Sequence, residues 1–184
     1  MKQIIIEGNN YLEGTINISG AKNSAVALVP ASLLSDDIVT IDNIPDISDI
    51  DALNEILKYL GAKVDRNATS MTIDSRNINN KAIPESISSK LRASYYFMSA
   101  LLGKYKHVEM YFPGGCSIGA RPIDQTLKGF RALGATVVEE NNKFIIDAEE
   151  LVGNNVYLDM PSVGATINTI LVAVRAKGKT VIEN

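Results

Sequence analysis

The run Tyr111-Phe-Pro-Gly-Gly-Cys-Ser-Ile-Gly-Ala-Arg-Pro-Ile-Asp-Gln125 holds the chain's single cysteine, three of its thirteen glycines and two of its six prolines. Glycine serves where the backbone takes positive φ or lets another group come close, and proline ends regular ladders, so Pro113 to Pro122 reads as an exposed loop. Cys116 sits at its middle, and five residues on stands Arg121, a planar cation suited to gripping a phosphate or carboxylate bidentately. A single cysteine is most often a small buried hydrophobe. Core cysteines sit within apolar runs, however, whereas Gly114, Gly115, Ser117 and Gly119 surround this one. The spacing points to a thiol presented to an anionic substrate. A nearby cation favours thiolate, so the residues alone leave open whether the sulfur acts as acid or nucleophile.

Composition bounds what such a loop can serve. The chain has 184 residues, 46% hydrophobic and 21% charged, which is enough to bury a real core. A net charge of −3 and no Lys/Arg run argue against a nucleic-acid partner, so an anionic ligand would be small. One cysteine excludes a disulfide within the chain, and one histidine beside it excludes the usual zinc sets. The apolar run Ile4-Ile5-Ile6 is too short for a signal peptide or a membrane span, and a reducing cytoplasm is the expected setting.

The elements that must position the loop recur along the chain. Residues 2–7 and 11–19 read as a hairpin around Gly8-Asn9-Asn10. Ala25 to Leu34 reads as a helix apolar on every side but Ser32, hence buried all round, with Pro30 kinking it. A strand at Ile38–Ile41 follows, then an amphipathic helix from Asp51 to Leu60 closed by Gly61, then short strands at Val64 and Met71–Ile73. Leu60-Gly61-Ala62-x-Val64 returns as Leu133-Gly134-Ala135-x-Val137, and Arg92 to Leu102 parallels Ser24 to Leu34. A third copy opens with Gly164-Ala165-Thr166 and runs to Asn184 without its amphipathic helix and last two strands. The pattern implies units at about 21–81, 82–153 and 154–184, the third incomplete. The chain reads as part of a longer polypeptide, with the hairpin of residues 1–20 expected to pack on a second domain.

Each buried helix is entered through small and polar residues: Gly20-Ala21-Lys22-Asn23-Ser24, Ser88-Ser89-Lys90-Leu91-Arg92, and Pro161-Ser162-Val163-Gly164-Ala165-Thr166. Singly, Lys22 and Arg92 read as surface charges and Asn23, Ser162 and Thr166 as helix caps. Jointly, three helix starts converging would make an anion site. His107 reads as solvated, and Tyr95, Tyr96 and Phe97 as core. Asp124 is either a contact to substrate hydroxyls or an acid at a helix start. The glycines around Cys116 lack the spacing of a dinucleotide fingerprint or a P-loop.

The cysteine loop from Pro113 to Asp124, with Ser19-Gly-Ala-Lys-Asn23, Leu91-Arg-Ala-Ser94 and Ser162-Val-Gly-Ala-Thr166, closely resembles the UDP-N-acetylglucosamine 1-carboxyvinyltransferase family over essentially the whole chain. The resemblance implies an α/β fold, an inside-out α/β barrel of two domains, each built from three such units, with substrates in the cleft between. It implies transfer of the enolpyruvyl group of phosphoenolpyruvate to the 3-hydroxyl of UDP-N-acetylglucosamine with release of phosphate, opening peptidoglycan synthesis, and it calls for no cofactor, nucleic acid or membrane. Residue by residue, Lys22, Asn23 and Arg121 look like contacts to phosphoenolpyruvate. Arg92, Arg121, Pro122, Ile123, Asp124, Gln125, Ser162, Val163 and Gly164 look like the UDP-sugar site. Cys116 looks like the proton donor, able to form a covalent adduct and open to alkylation by fosfomycin. Met160 stands where some relatives carry a lysine, and the family's base-type aspartate and further phosphate-binding arginines belong to a second half. Two alternatives stay open: a 5-enolpyruvylshikimate-3-phosphate synthase, which shares the repeat architecture, and a module that binds a UDP-sugar without turnover.

Overall fold

The structure is a computed structural model that describes residues 3–112 and 123–184. The loop centred on Cys116, and with it Arg121 and Pro122, lies outside the described residues.

Helix α1, Lys22–Ala31, passes into a 3-10 turn at Ser32–Leu34. Pro30 has no N–H for the α ladder, and the helix tightens just after it. Ser32 is buried, and its hydroxyl donates to the Val29 carbonyl at 2.7 Å. Strand β1 (Val39–Asp42), helix α2 (Ser48–Leu60) and strands β2 (Lys63–Arg66) and β3 (Ser70–Asp74) complete the first unit. The strands form an antiparallel sheet in the order β1-β3-β2. Apolar residues on α2 recur at helical spacing, so Ile50, Leu53, Ile56, Leu57 and Leu60 face inward and are fully buried. Each such side chain contributes roughly 1.5–3 kcal/mol of transfer free energy. Gly61 then takes φ 97°, a left-handed position that ends the helix.

The second unit repeats this plan. A single turn, α3 (Glu85–Ser88), and a 3-10 turn at Arg92–Ser94 lead into α4 (Tyr95–Tyr105). Strand β4 (His107–Tyr111), helix α5 (Asp124–Ala132) and strands β5 (Thr136–Glu140) and β6 (Lys143–Asp147) follow, paired in the order β4-β6-β5. The register Lys63↔Asp74 of the first sheet returns as Thr136↔Asp147, at the spacing that relates Leu60 to Leu133, and Gly134 repeats the positive φ of Gly61. In the third unit β7 (Asn155–Tyr157) and β8 (Val181–Glu183) pair in parallel across α6 (Val163–Ala173). The second unit has a counterpart in the parallel bridge Ile83↔Met110.

Helix α4 lies at the centre, buried from Tyr95 to Gly103, with α1 and α6 against it. Outer helix α2 packs on α1, α5 on α6, and strand β4 on α4, while the described residues form no closed barrel. Burial is complete only for α4: Leu28 on α1 is 50% exposed, and Ile170 and Val163 on α6 also face out. No helix among the described residues is long and apolar enough to cross a membrane.

The first twenty residues depart from expectation. Residues 3–20 contain no strand, so the hairpin is absent from the described part of the segment. Ile4, Ile5, Ile6, Tyr11, Leu12, Ile16 and Ile18 are 79–90% exposed. A two-stranded ribbon needs a face to pack on, and nothing among the described residues supplies one. The chain is held again at Gly20, where an added Cβ would lie 1.6 Å from the Asn43 carbonyl oxygen, so only glycine lets the backbone pass the end of β1 into α1.

Candidate active site

The starts of all three inner helices meet at one end of the molecule, where they line two adjoining clefts. One, of about 390 Å³, takes Lys22 and Asn23 from the start of α1, Asp49 from the first turn of α2, and Lys90 and Arg92 from the turns before α4. The Lys22 ammonium sits 2.5 Å from an Asp49 carboxylate oxygen, and the lysine side chain stays 56% exposed. An exposed ammonium on a short tether, beside Lys90 and Arg92, gives the cleft the charge that a phosphate or carboxylate seeks. Lys90 also pairs with Glu55 at 2.6 Å.

The second cleft, of about 360 Å³, lies between the start of α5 (Ile123, Asp124, Gln125) and the start of α6 (Met160, Ser162, Gly164). Ser162 is the N-cap of α6: its hydroxyl accepts the Ala165 N–H at 3.3 Å, and the Thr166 hydroxyl donates back to the Ser162 carbonyl at 2.9 Å. Gly164 has no room for a side chain, because an added Cβ would lie 1.9 Å from the Tyr95 hydroxyl. Asp124, in the first turn of α5, is an acid favoured by the helix dipole and lines this cleft.

Arg92 and Tyr95 belong to both clefts and form the wall they share. The Tyr95 ring stacks on Tyr96 with centroids 4.6 Å apart, and the Arg92 guanidinium lies 5.8 Å from the Tyr95 ring centre. Burial, then a hydrogen bond with Tyr96, pushes the Tyr95 hydroxyl well above the usual phenol range, so it stays protonated as a neutral polar group.

Of the residues singled out in the sequence, Lys22, Asn23 and Arg92 come together in the first cleft, and Arg92, Ile123, Asp124, Gln125, Ser162 and Gly164 in the second. Val163 does not line either cleft and is 76% exposed. Cys116, Arg121 and Pro122 stand outside the described residues, joined to the second cleft through Ile123. Tyr95 was expected only as core; it is buried and also a cleft wall. Asp49 is not singled out in the sequence, where the helix is expected from Asp51; α2 starts at Ser48, which puts Asp49 in its first turn and against Lys22. His107, expected in solvent, is half-exposed and bonded through Nδ1 to an Asp147 carboxylate at 2.6 Å.

Comparison with known proteins places this geometry. Residues 6–184 match the profile of the family described as EPSP synthase (3-phosphoshikimate 1-carboxyvinyltransferase). The chain is 50% identical over its full length to proteins named UDP-N-acetylglucosamine 1-carboxyvinyltransferase 2 in Oceanobacillus iheyensis and Geobacillus kaustophilus, and covers 43% of each. It is also 50% identical to UDP-N-acetylglucosamine 1-carboxyvinyltransferase 3 of Caldanaerobacter subterraneus, covering 44% of it. Among solved structures, the enolpyruvyl transferase NikO from Streptomyces tendae superposes with a TM-score of 0.79 over 95% of this chain and 41% of that one, at 22% identity. An EPSP synthase from Acinetobacter baumannii gives 0.68 over 95% of this chain and 41% of that one, at 16% identity. The likeness to the two structures speaks for the fold, and the chain spans less than half the length of the relatives it matches. A repeated helix-and-sheet unit with three helix starts converging on paired clefts, matched by the profile over residues 6–184, makes this chain a member of the EPSP synthase (3-phosphoshikimate 1-carboxyvinyltransferase) family.

Proposed function

We propose that the polypeptide carrying this chain transfers the enolpyruvyl group of phosphoenolpyruvate to the 3-hydroxyl of UDP-N-acetylglucosamine and releases phosphate. The observation that carries this reading is the pair of adjoining clefts sharing Arg92 and Tyr95: one lined by Lys22, Lys90 and Arg92 and suited to a phosphate ester, next to one lined by Asp124, Ser162 and Gly164 and suited to a sugar nucleotide. The 50% identity to proteins named for that reaction supports the choice of acceptor.

The chemistry asks for few groups. Adding a sugar hydroxyl across the double bond of an enol phosphate requires a proton on the terminal carbon while positive charge grows on the neighbouring one. A C–O bond then forms there, the bond to phosphate breaks, and loss of a proton from the methyl group restores the double bond. Lys22, Asn23 and Arg121 hold the phosphate, and Cys116 delivers the first proton. Arg92, on the shared wall, keeps the two reactants adjacent, which removes much of the entropic barrier. The base for the sugar hydroxyl and further phosphate ligands come from outside this chain. The setting is the bacterial cytoplasm, as an early step of peptidoglycan synthesis, and the thiol of Cys116 is the point of attack for fosfomycin.

Phosphate release from phosphoenolpyruvate by the full-length protein tests the reading, with UDP-N-acetylglucosamine and shikimate 3-phosphate offered separately as acceptors. Release with the sugar nucleotide alone is expected. Release with shikimate 3-phosphate alone would transfer the chain to the other branch of the family, and sugar binding without release would make it a binding module.

A further inference from the structure

The second cleft has two walls from different repeats, and one side chain ties them together. Gln125, in the first turn of α5, is 8% exposed. Its amide nitrogen donates to Asp124 Oδ2 at 3.1 Å and to Asp159 Oδ2 at 3.2 Å, while its oxygen accepts the Asp159 backbone N–H at 2.9 Å. Asp159 lies in the segment between β7 and α6, and Lys128, one turn along α5, donates to its other carboxylate oxygen at 2.5 Å. A primary amide has two N–H donors, and both are committed inside the protein, leaving none for a ligand. Lys128, then Gln125, holds the Asp159 carboxyl below its usual range, so it stays charged and accepting at neutral pH.

We infer that the Gln125 side chain is a positioning group of the sugar-nucleotide cleft: its amide straps the start of α5 to the segment before α6 and so sets the distance between the walls carrying Asp124 and Gly164. The inference rests on the reading that this cleft takes the UDP-sugar. It also explains the residue type. A glutamate here would set three carboxylates together with no donor among them, and a leucine would leave the Asp159 N–H and carboxylate without their partner.

The test uses full-length protein and UDP-N-acetylglucosamine, with Kd measured by calorimetry, KM for both substrates by phosphate release, and stability by urea denaturation. Gln125→Glu is expected to raise the Kd about tenfold, the effect of one lost charge-assisted hydrogen bond. The loss in kcat/KM falls on the KM for the sugar nucleotide, while the KM for phosphoenolpyruvate holds. Adding Asp159→Asn restores an amide–carboxylate pair in the opposite sense and brings the Kd back to within about threefold of wild type, a non-additive recovery. Three results would overturn the inference: losses from Gln125→Glu and Asp159→Asn that simply add, which marks a direct ligand contact; a Kd unchanged while the urea midpoint falls, which marks a scaffold role alone; or equal rises in both KM values. Absence of sugar-nucleotide binding by the wild-type protein would instead bring down the functional reading beneath it.

Discussion

Gly164 and Tyr95 show how closely single residues shape the site. An added methyl at Gly164 would sit 1.9 Å from the Tyr95 hydroxyl, and neither backbone nor ring can yield that much without moving the shared wall. Gly164→Ala is expected to cost about 1–3 kcal/mol in urea denaturation of the full-length protein and to weaken sugar-nucleotide binding at the same time. Away from the clefts, Asp74 gives a pH signature. Hydrogen bonds from Arg76 draw its carboxyl down to about 2, from an ordinary value of 3.8. A carboxyl with a depressed folded-state pKa adds stability above its unfolded value, and that stability fades as pH falls toward the folded one. The difference in urea midpoint between wild type and Asp74→Asn should therefore hold steady above pH about 4 and close between there and about 2. Lys22, Asn23, Arg92, Ser162 and Gly164 were legible in sequence because the repeat puts them at equivalent helix starts, and Asp124 because it opens the amphipathic helix of the second unit. Tyr95, Asp49 and Asp159 were not, since each acquires its role only from a neighbour distant in sequence: Gly164, Lys22 and Gln125 respectively.

At the scale of elements, the contact of α5 with α6 rests on a glycine set against a hydroxyl. A Cβ on Gly129 would lie 2.2 Å from Thr169 Oγ1, which itself donates to the Ala165 carbonyl at 2.8 Å. Gly129→Ala is expected to push the two helices apart at a cost of about 1–3 kcal/mol, and Thr169→Ala in the same chain should recover most of it. Survival of Gly129→Ala with an unchanged urea midpoint would contradict this packing. The amphipathic helices α2 and α5 and the strands that follow them were readable from period and glycine stops, because one buried face is a local property of the sequence. Strand β7 and the bridge at Ile83 escaped notice, since three residues or fewer leave no period to read. The hairpin is a different case: alternation at Ile16 and Ile18 signals a half-buried strand, burial needs a second surface, and among the described residues those side chains are more than 80% exposed.

For the whole molecule, three inner helices bring their starts to one end, and the chemistry proposed here depends on that convergence. The threefold plan was legible from internal repetition alone. The place of Cys116 relative to the clefts was not, because no periodicity encodes it and it lies outside the described residues. The 184-residue chain by itself, covering 43% of the relatives it matches, is expected to release no phosphate from phosphoenolpyruvate, and the full-length protein is expected to do so with UDP-N-acetylglucosamine. Cys116→Ser in the full-length protein should abolish that release and leave the Kd for the sugar nucleotide within about twofold, since a proton donor to phosphoenolpyruvate contributes nothing to holding the sugar. The most direct measurement is a crystal structure of the full-length protein soaked with UDP-N-acetylglucosamine. The account predicts sugar-nucleotide density between the starts of α5 and α6, against Arg92, Asp124 and Gly164; density anywhere else, with that cleft holding only water, would contradict it.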